Sequence, residues 1–226
     1  MGGILYSLNL LTSACASVLR LGMGVFRRRE APNPELPVEL YEFEGCPHCR
    51  LVREAITELN LRVQIWPCPK GGRRYRPELV ERAGKAQFPY LVDPNTGTEM
   101  YESADIIKYL FRTYGRGLPL RWWLLPLHRI LSVFAALPRM GQGVSRRQAS
   151  VPVEPLVLTN MESHPGARLV RERLCELELP YCIESAGLGG GRHVPTLHDA
   201  NTGTELSDVR EILTYLSTTY AGTHQA

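Results

Sequence analysis

The residues carrying the most chemistry are Cys46-Pro47-His48-Cys49. A Cys-x-x-Cys pair either exchanges disulfides or supplies half of a metal site. The metal reading needs a second such pair or a His pair, and neither follows; Cys68, in Pro67-Cys68-Pro69, stands alone. Residues 38–43 alternate like a strand, and the stretch from the motif to Leu59 has a helical pattern. Cys46 is therefore expected at a helix N-terminus, where unpaired N–H groups and the macrodipole favour a thiolate. Pro47 suits the first helical turn, which has no use for its missing N–H. Cys49 lies one turn further on, where a resolving thiol belongs. Thiolate first and resolving thiol second is the chemistry of disulfide exchange.

The elements that must position this pair belong to a chain of 226 residues, enough for one large domain or two small ones. With 44% hydrophobic and 22% charged residues the composition is globular, and a net charge of +3 makes no case for a nucleic-acid partner. The six cysteines, Cys15, Cys46, Cys49, Cys68, Cys175 and Cys182, include one closely spaced pair, so a reducing, cytoplasmic setting is expected rather than a secreted disulfide framework. Residues 1–25 are apolar but lack a basic leader, and Arg20 interrupts them. They read as an amphipathic helix over 3–21 rather than a signal or a span, with Ile4, Leu8, Leu11, Cys15, Val18 and Leu19 at helical spacing. Gly22 and Gly24 end it, and a basic, proline-containing linker follows with Arg27, Arg28, Arg29, Pro32, Pro34 and Pro37. Beyond the motif, strands are expected over 61–66, 87–93 and 98–101, with a turn at Pro94-Asn95-Thr96-Gly97. Helices are expected over 77–83 and 103–114, the latter burying Ile106, Ile107, Leu110 and Phe111.

The second half repeats the first. Residues 37–54 align with 155–172, sharing Arg-Leu-Val-Arg-Glu; 88–99 align with 194–205, sharing Asn-Thr-Gly-Thr-Glu; Ile106 to Leu110 matches Ile212 to Leu216. The leading helix repeats too, Arg20-Leu-Gly-Met-Gly matching Arg139-Met-Gly-Gln-Gly. In the second copy His164 and Ala167 replace Cys46 and Cys49. The loop over 185–192 is shorter, the 77–83 helix has no counterpart, and Cys175 and Cys182 read as small core residues. The second copy is expected to be a degenerate support. The expected organisation is 1–36 helix and basic linker, 37–117 active domain, 118–154 helix and linker, and 155–226 degenerate domain.

Three motifs carry a resemblance: Cys46-Pro47-His48-Cys49, Phe88-Pro89, and Tyr101-Glu102-Ser103-Ala104-Asp105-Ile106-Ile107. Through them the chain resembles the thioredoxin-like superfamily, most closely glutaredoxins and the N-terminal domain of glutathione S-transferases, over 37–115 and more loosely over 155–221. The resemblance implies an α/β fold of two tandem thioredoxin-like domains, each preceded by an amphipathic helix. It implies cis Pro89 and Pro195, the Phe88 backbone against the cysteinyl part of glutathione, and Glu102 with Ser103 on its γ-glutamyl end. Ser103 is expected as a helix N-cap whose neighbouring N–H groups suit a carboxylate; the second copy has Asp208-Val209 there. A second α/β copy stands where transferases carry an all-helical domain, which argues against conventional transferase chemistry. Cys-Pro-His-Cys is also the motif of strongly oxidising periplasmic disulfide oxidases, whose helical insertion and signal peptide are missing; His48 is expected to stabilise the Cys46 thiolate.

The leading functional expectation is a glutathione-linked, glutaredoxin-like thiol–disulfide oxidoreductase. It would use Cys46, Pro47, His48 and Cys49 with glutathione as co-substrate, no metal, and disulfides or glutathionylated thiols as partners. The alternatives are a glutathione transferase or isomerase acting on a small electrophile, and a non-catalytic membrane-peripheral or scaffold protein. The glycine-rich loop Lys70-Gly71-Gly72-Arg73-Arg74-Tyr75-Arg76 reads either as a cation source for glutathione or as a solvated loop. The stripe Leu127, Ile130, Leu131 and Phe134, near Trp122 and Trp123, reads as a peripheral membrane contact, together with the helix at 3–21, or as packing of the 127–137 helix against that helix or against the other domain.

Overall fold

A computed structural model describes residues 3–25, 34–139, 141–187 and 193–221. Arg27, Arg28, Arg29 and Pro32 of the basic linker, and the 188–192 part of the shorter second loop, lie outside the described residues. The first half comprises α1 (Gly3–Val18), β1 (Val38–Glu42), α2 (Pro47–Leu59), β2 (Arg62–Pro67), α3 (Tyr75–Ala83), β3 (Tyr90–Asp93), β4 (Thr98–Tyr101) and α4 (Ser103–Thr113). A 3-10 turn at Leu120–Leu124 leads into α5 (Leu125–Ala136). Then come β5 (Leu156–Asn160), α6 (Pro165–Glu176), β6 (Tyr181–Ser185), β7 (Thr196–Asp199), β8 (Thr204–Leu206) and α7 (Val209–Thr219).

The strands form one eight-stranded sheet, ordered β4-β3-β1-β2-β6-β5-β7-β8. β1 pairs parallel with β2, and β5 with β6; the hairpins β3–β4 and β7–β8 are antiparallel. At the centre β2 and β6 run antiparallel, Val63 opposite Ile183. The order therefore reads alike from both edges, and the segment between the halves does not divide two separate sheets. One apolar core runs beneath α2, α4, α6 and α7 through both halves, including Leu40, Leu51, Phe111, Leu158, Val170 and Ile212. α3 covers the other face of the first half with Tyr75 and Leu79 on Tyr41, Tyr90 and Val92. β1 is consequently buried on both faces, as parallel strands are. The second half has no such helix among the described residues, and Val157, Thr159 and Thr196 line an open pocket there.

Both hairpins are tied down alike. Asp93 Oδ1 accepts from the Asn95 backbone at 3.0 Å, and its Oδ2 accepts from the phenols of Tyr109 and Tyr114, each at 2.5 Å. Asp199 does the same with Asn201, Tyr215 and Tyr220. Burial works against both carboxylates, but the hydrogen bonds win and hold each below the usual range.

The leading helices differ most from expectation. α1 ends at Val18, three residues before Leu21, which itself has φ 52°. Its apolar stripe faces outward: Ile4 is 88% exposed and Leu11 63%, while Ser13 and Ala16 are buried. In α5, Ile130 is 55% exposed and Phe134 54%, while Ser132 and Ala135 are buried. Mutual burial of the two stripes, one of the sequence expectations, is not what forms. α1 instead packs mainly on α6 and α5 on α2, each crossing to the other half. Ser13 Oγ donates to the Pro165 carbonyl (3.0 Å) and Ser132 Oγ to the Pro47 carbonyl (2.7 Å). Small residues let the helix backbones come this close; bulky ones would hold them apart.

Candidate functional site

The site is assembled by topology. β1 and β3 are antiparallel with Tyr41 opposite Tyr90, so the residues leaving β1 and those entering β3 meet at one sheet end. Phe43 and Phe88 touch there edge to face, ring centroids 5.8 Å apart, and the Arg76 guanidinium lies 4.6 Å over the Phe88 ring. Tyr101 pairs with Tyr90, which places Glu102 and Ser103 at the same end. The Phe88–Pro89 and Val194–Pro195 peptides are both cis, as the resemblance implied. Phe88, Pro89, Glu102 and Ser103 are thus brought to the end of the sheet from which Cys46 begins α2.

Cys46 is the N-cap of α2 and Pro47 occupies the first turn. The Cys46 sulfur accepts the Cys49 backbone N–H at 3.4 Å. Cys46 is 6% exposed and Cys49 fully buried. The Cys46 thiol is brought down to about 7, first by a hydrogen bond from the Cys49 side chain; burial opposes this, and the backbone N–H groups of Cys49 and His48 and the Arg53 charge add to it. The Cys49 thiol is pushed well up, by burial first and then by its bond to Cys46. The pair is therefore divided into a ready nucleophile and a protonated partner. Cys68 is buried beside Trp66 and its thiol is also raised, chiefly by burial.

Three sequence expectations change here. His48 points outward, and its contribution to Cys46 comes through its backbone N–H rather than its ring. Ser103 is not the N-cap: Glu102 is, at φ 68°, with no side-chain cap bond, and Ser103 is the buried first residue of α4. Glu102 Oε1 instead accepts from Gln87 Nε2 at 2.6 Å. The basic loop is neither simply solvated nor wholly directed at the site. Arg74 donates to the Leu177 and Glu178 carbonyls at the C-terminal end of α6, and Arg76 donates to the Cys68 and Pro69 carbonyls.

Sequence reasoning missed the charge cluster beneath the cysteines. Arg53, fully buried, contacts Glu42 and Glu44, and reaches Glu162 of the other half at 3.0 Å. Arg171 reciprocates, holding Glu44 at 3.0 Å and Glu162 at 3.1 Å. Burial pushes Glu42 up to about 8 despite Arg53, whereas the charges of Arg171 and Arg53 overcome the larger opposing effect of burial and hold Glu44 at about 2. The signal was present in the repeated Leu-Val-Arg-Glu, with Arg53 and Arg171 at the same place in each copy.

Residues 40–118 match the family model for the glutathione S-transferase N-terminal domain, and with the cis-proline and strand–turn–helix geometry they make a thioredoxin-like domain of that type. Among solved structures, a glutathione transferase of Bombyx mori is 26% identical over 38% of this chain and 39% of its own, with a TM-score of 0.33. The chain thus spans about two fifths of that transferase's length. No curated protein matches the chain significantly.

Proposed function

We propose that this protein is a glutathione-linked thiol–disulfide oxidoreductase with Cys46 as its nucleophile. The observation that carries the reading is the split between an N-capping Cys46, lowered to about 7, and a buried, protonated Cys49. The match of residues 40–118 to the transferase N-terminal domain supports a glutathione-related function, with Phe88, Pro89, Glu102 and Ser103 as the glutathione contacts. The Cys46 thiolate attacks a disulfide, forming a bond to one sulfur and releasing the other as a thiolate that takes a proton. Cys49 then gives up its proton and attacks the Cys46 sulfur, closing the Cys46–Cys49 disulfide and freeing the bound thiol. Two glutathione molecules reduce that disulfide and leave as oxidised glutathione. With a glutathionylated thiol, Cys46 takes the glutathionyl group and a second glutathione removes it, so Cys49 is not required. Turnover of Cys46→Ser and Cys49→Ser variants tests this: the first should lose both reactions and the second should keep deglutathionylation. Equal loss in both variants contradicts the scheme.

The reading extends to two tandem thioredoxin-like units, 37–117 and 155–226, each led by the helical segment 1–36 or 118–154. The in-register repeat and the palindromic strand order support it. The second unit is the degenerate support.

A second observation favours peripheral contact with an anionic bilayer. α1 and α5 lie together with their apolar stripes outward, and Trp123, 70% exposed, stands beside them. Residues 1–29 and 106–153 contain no Asp or Glu but twelve Lys and Arg; the rest of the chain holds 14 basic and 23 acidic residues. Six of the twelve, Arg20, Lys108, Arg121, Arg139, Arg146 and Arg147, pair with carboxylates outside these segments, so it is the outward apolar face with its exposed Trp123 that suits a membrane surface. Among the described residues no helix is long and apolar enough to cross a membrane. Flotation with anionic vesicles at low salt should succeed, weaken at high salt, and fail for Leu8→Glu/Ile130→Glu. Failure of the wild type at low salt overturns it.

A further inference from the structure

Between α2, α6 and the 141–144 segment lies a cavity of about 150 Å³ lined by Arg50, Arg168, Arg139, Glu44, Glu172 and neighbouring small residues. Its carboxylates are already engaged. Glu44 receives both of its Arg171 bonds at 3.0 Å, and Glu172 receives Arg139. Arg50 and Arg168 have no carboxylate partner, and Arg168 keeps one bond, Nη1 donating to the Ser13 carbonyl at 2.9 Å. They are 3% and 1% exposed, and neither makes an ion pair among the described residues. Arg50 Nε and Nη1 and Arg168 Nε are buried without any hydrogen bond. The two arginines occupy the same position in the two repeats and face one cavity. Burial, then their mutual repulsion, brings Arg168 down to about 9. Two buried guanidinium groups with open donors are costly unless an acceptor carrying negative charge sits between them. Planar Arg forks match tetrahedral oxyanions bidentately.

We propose that this cavity is a binding site for a small inorganic oxyanion of the phosphate or sulfate class, held by Arg50 and Arg168 across the junction of the two halves. None of its lining residues is one assigned to glutathione, and the proposal does not depend on the redox reading. A bound anion would cross-link α2 to α6 and stabilise the paired halves.

The test is thermal unfolding of the whole chain in phosphate or sulfate against chloride at equal ionic strength, with titration calorimetry. Wild type should show saturating calorimetric heat and a Tm that climbs as the site fills and thereafter only with the logarithm of anion concentration (the saturating rise), by about 5 °C or more at about 100 times Kd. The non-specific effect of sulfate grows in proportion to its concentration rather than logarithmically, so the shape of the curve distinguishes the two. Arg50→Met/Arg168→Met should melt higher than wild type in chloride, because a buried repulsion is gone, and should lose the saturating rise. A wild-type curve without saturation, with no calorimetric heat, means that only water fills the cavity and overturns the proposal. A saturating rise that survives in the double variant overturns it as well, placing the anion elsewhere. If the double variant does not fold, Arg50→Lys and Arg168→Lys should each weaken the calorimetric affinity at least tenfold, and unchanged affinity in both contradicts the site.

Discussion

The N-termini of α2 and α6 are the same structure carrying different chemistry. Cys46 caps α2 by accepting the Cys49 N–H at 3.4 Å; His164 caps α6 by accepting the Ala167 N–H at 3.1 Å through Nδ1. Both are followed by a proline in the first turn, each half carries one cis-proline, and each helix carries one arginine of the reciprocal Arg53–Arg171 cluster. Imidazole does the capping as well as sulfur does, so a fold that needs only the cap tolerates the exchange. The helix entries opposite also diverge. Asp208 caps α7 with its own carboxylate, accepting from the Arg210 and Glu211 N–H groups, whereas Glu102 leaves the start of α4 without a side-chain cap. The second half caps both helices with its own side chains, His164 and Asp208, where the first half has the Cys46 sulfur at α2 and no side-chain cap at α4. The difference teaches that capping is separable from thiol chemistry, since the second half keeps the capped helix entry without a cysteine at either position.

The strongest break of this comparison is Cys46→Ser against His164→Ala. The first should reduce disulfide and deglutathionylation turnover to background; the second should leave it unchanged, read in one coupled glutathione assay. Next come Arg53→Met and Arg171→Met, each of which strands buried carboxylates of both halves. Each should cost about 3–5 kcal/mol, read by denaturant unfolding. Near-equal losses show that the cluster is one shared unit; a cost confined to one variant shows that it is not.

A smaller effect sharpens the thiol side. In Cys49→Ala, Cys46 loses the thiol that hydrogen-bonds its sulfur, and its pKa should rise from about 7 towards the ordinary value of about 8.5. The sign for stability follows from the same shift. A thiol lowered in the folded state contributes stability that is present above its unfolded pKa and disappears as pH falls through the folded one. The stability of wild type over Cys46→Ser should therefore grow between about pH 7 and pH 8.5 by about 2 kcal/mol at most, and be flat below pH 6. The smallest effect concerns what the halves share. Tyr114→Phe and Tyr220→Phe each remove one phenol from a carboxylate and should each cost about 1.5–3 kcal/mol. A markedly unequal pair would show that the scaffolds are not equivalent.

Much of this was legible in the sequence. The strand, Cys-x-x-Cys and helix order, the Asn-Thr-Gly turns and the buried face of α4 are local signals, and each forms where the residues place it. Periodicity showed that α1 and α5 have two faces but not which face is covered. Burying Ser13 and Ala16 rather than Leu8 and Leu11 is decided by the close approach of α6, which no local pattern encodes. The same holds for Arg53. Its spacing from Cys46 was plain, but its carboxylate partner Glu162 lies 109 residues away. His48 misled because its residue type suggested a charge effect, while the helix geometry leaves it only a backbone N–H to give.

The most direct measurement is the alkylation rate of Cys46 against pH, followed by mass spectrometry after equilibration in glutathione redox buffers. The expected result is a pKa near 7 for Cys46, with a Cys46–Cys49 disulfide or a Cys46–glutathione adduct accumulating as the buffer becomes oxidising, and no adduct on Cys175 or Cys182 of the second half. An ordinary pKa of about 8.5 with neither species would contradict the assignment of Cys46 as the nucleophile.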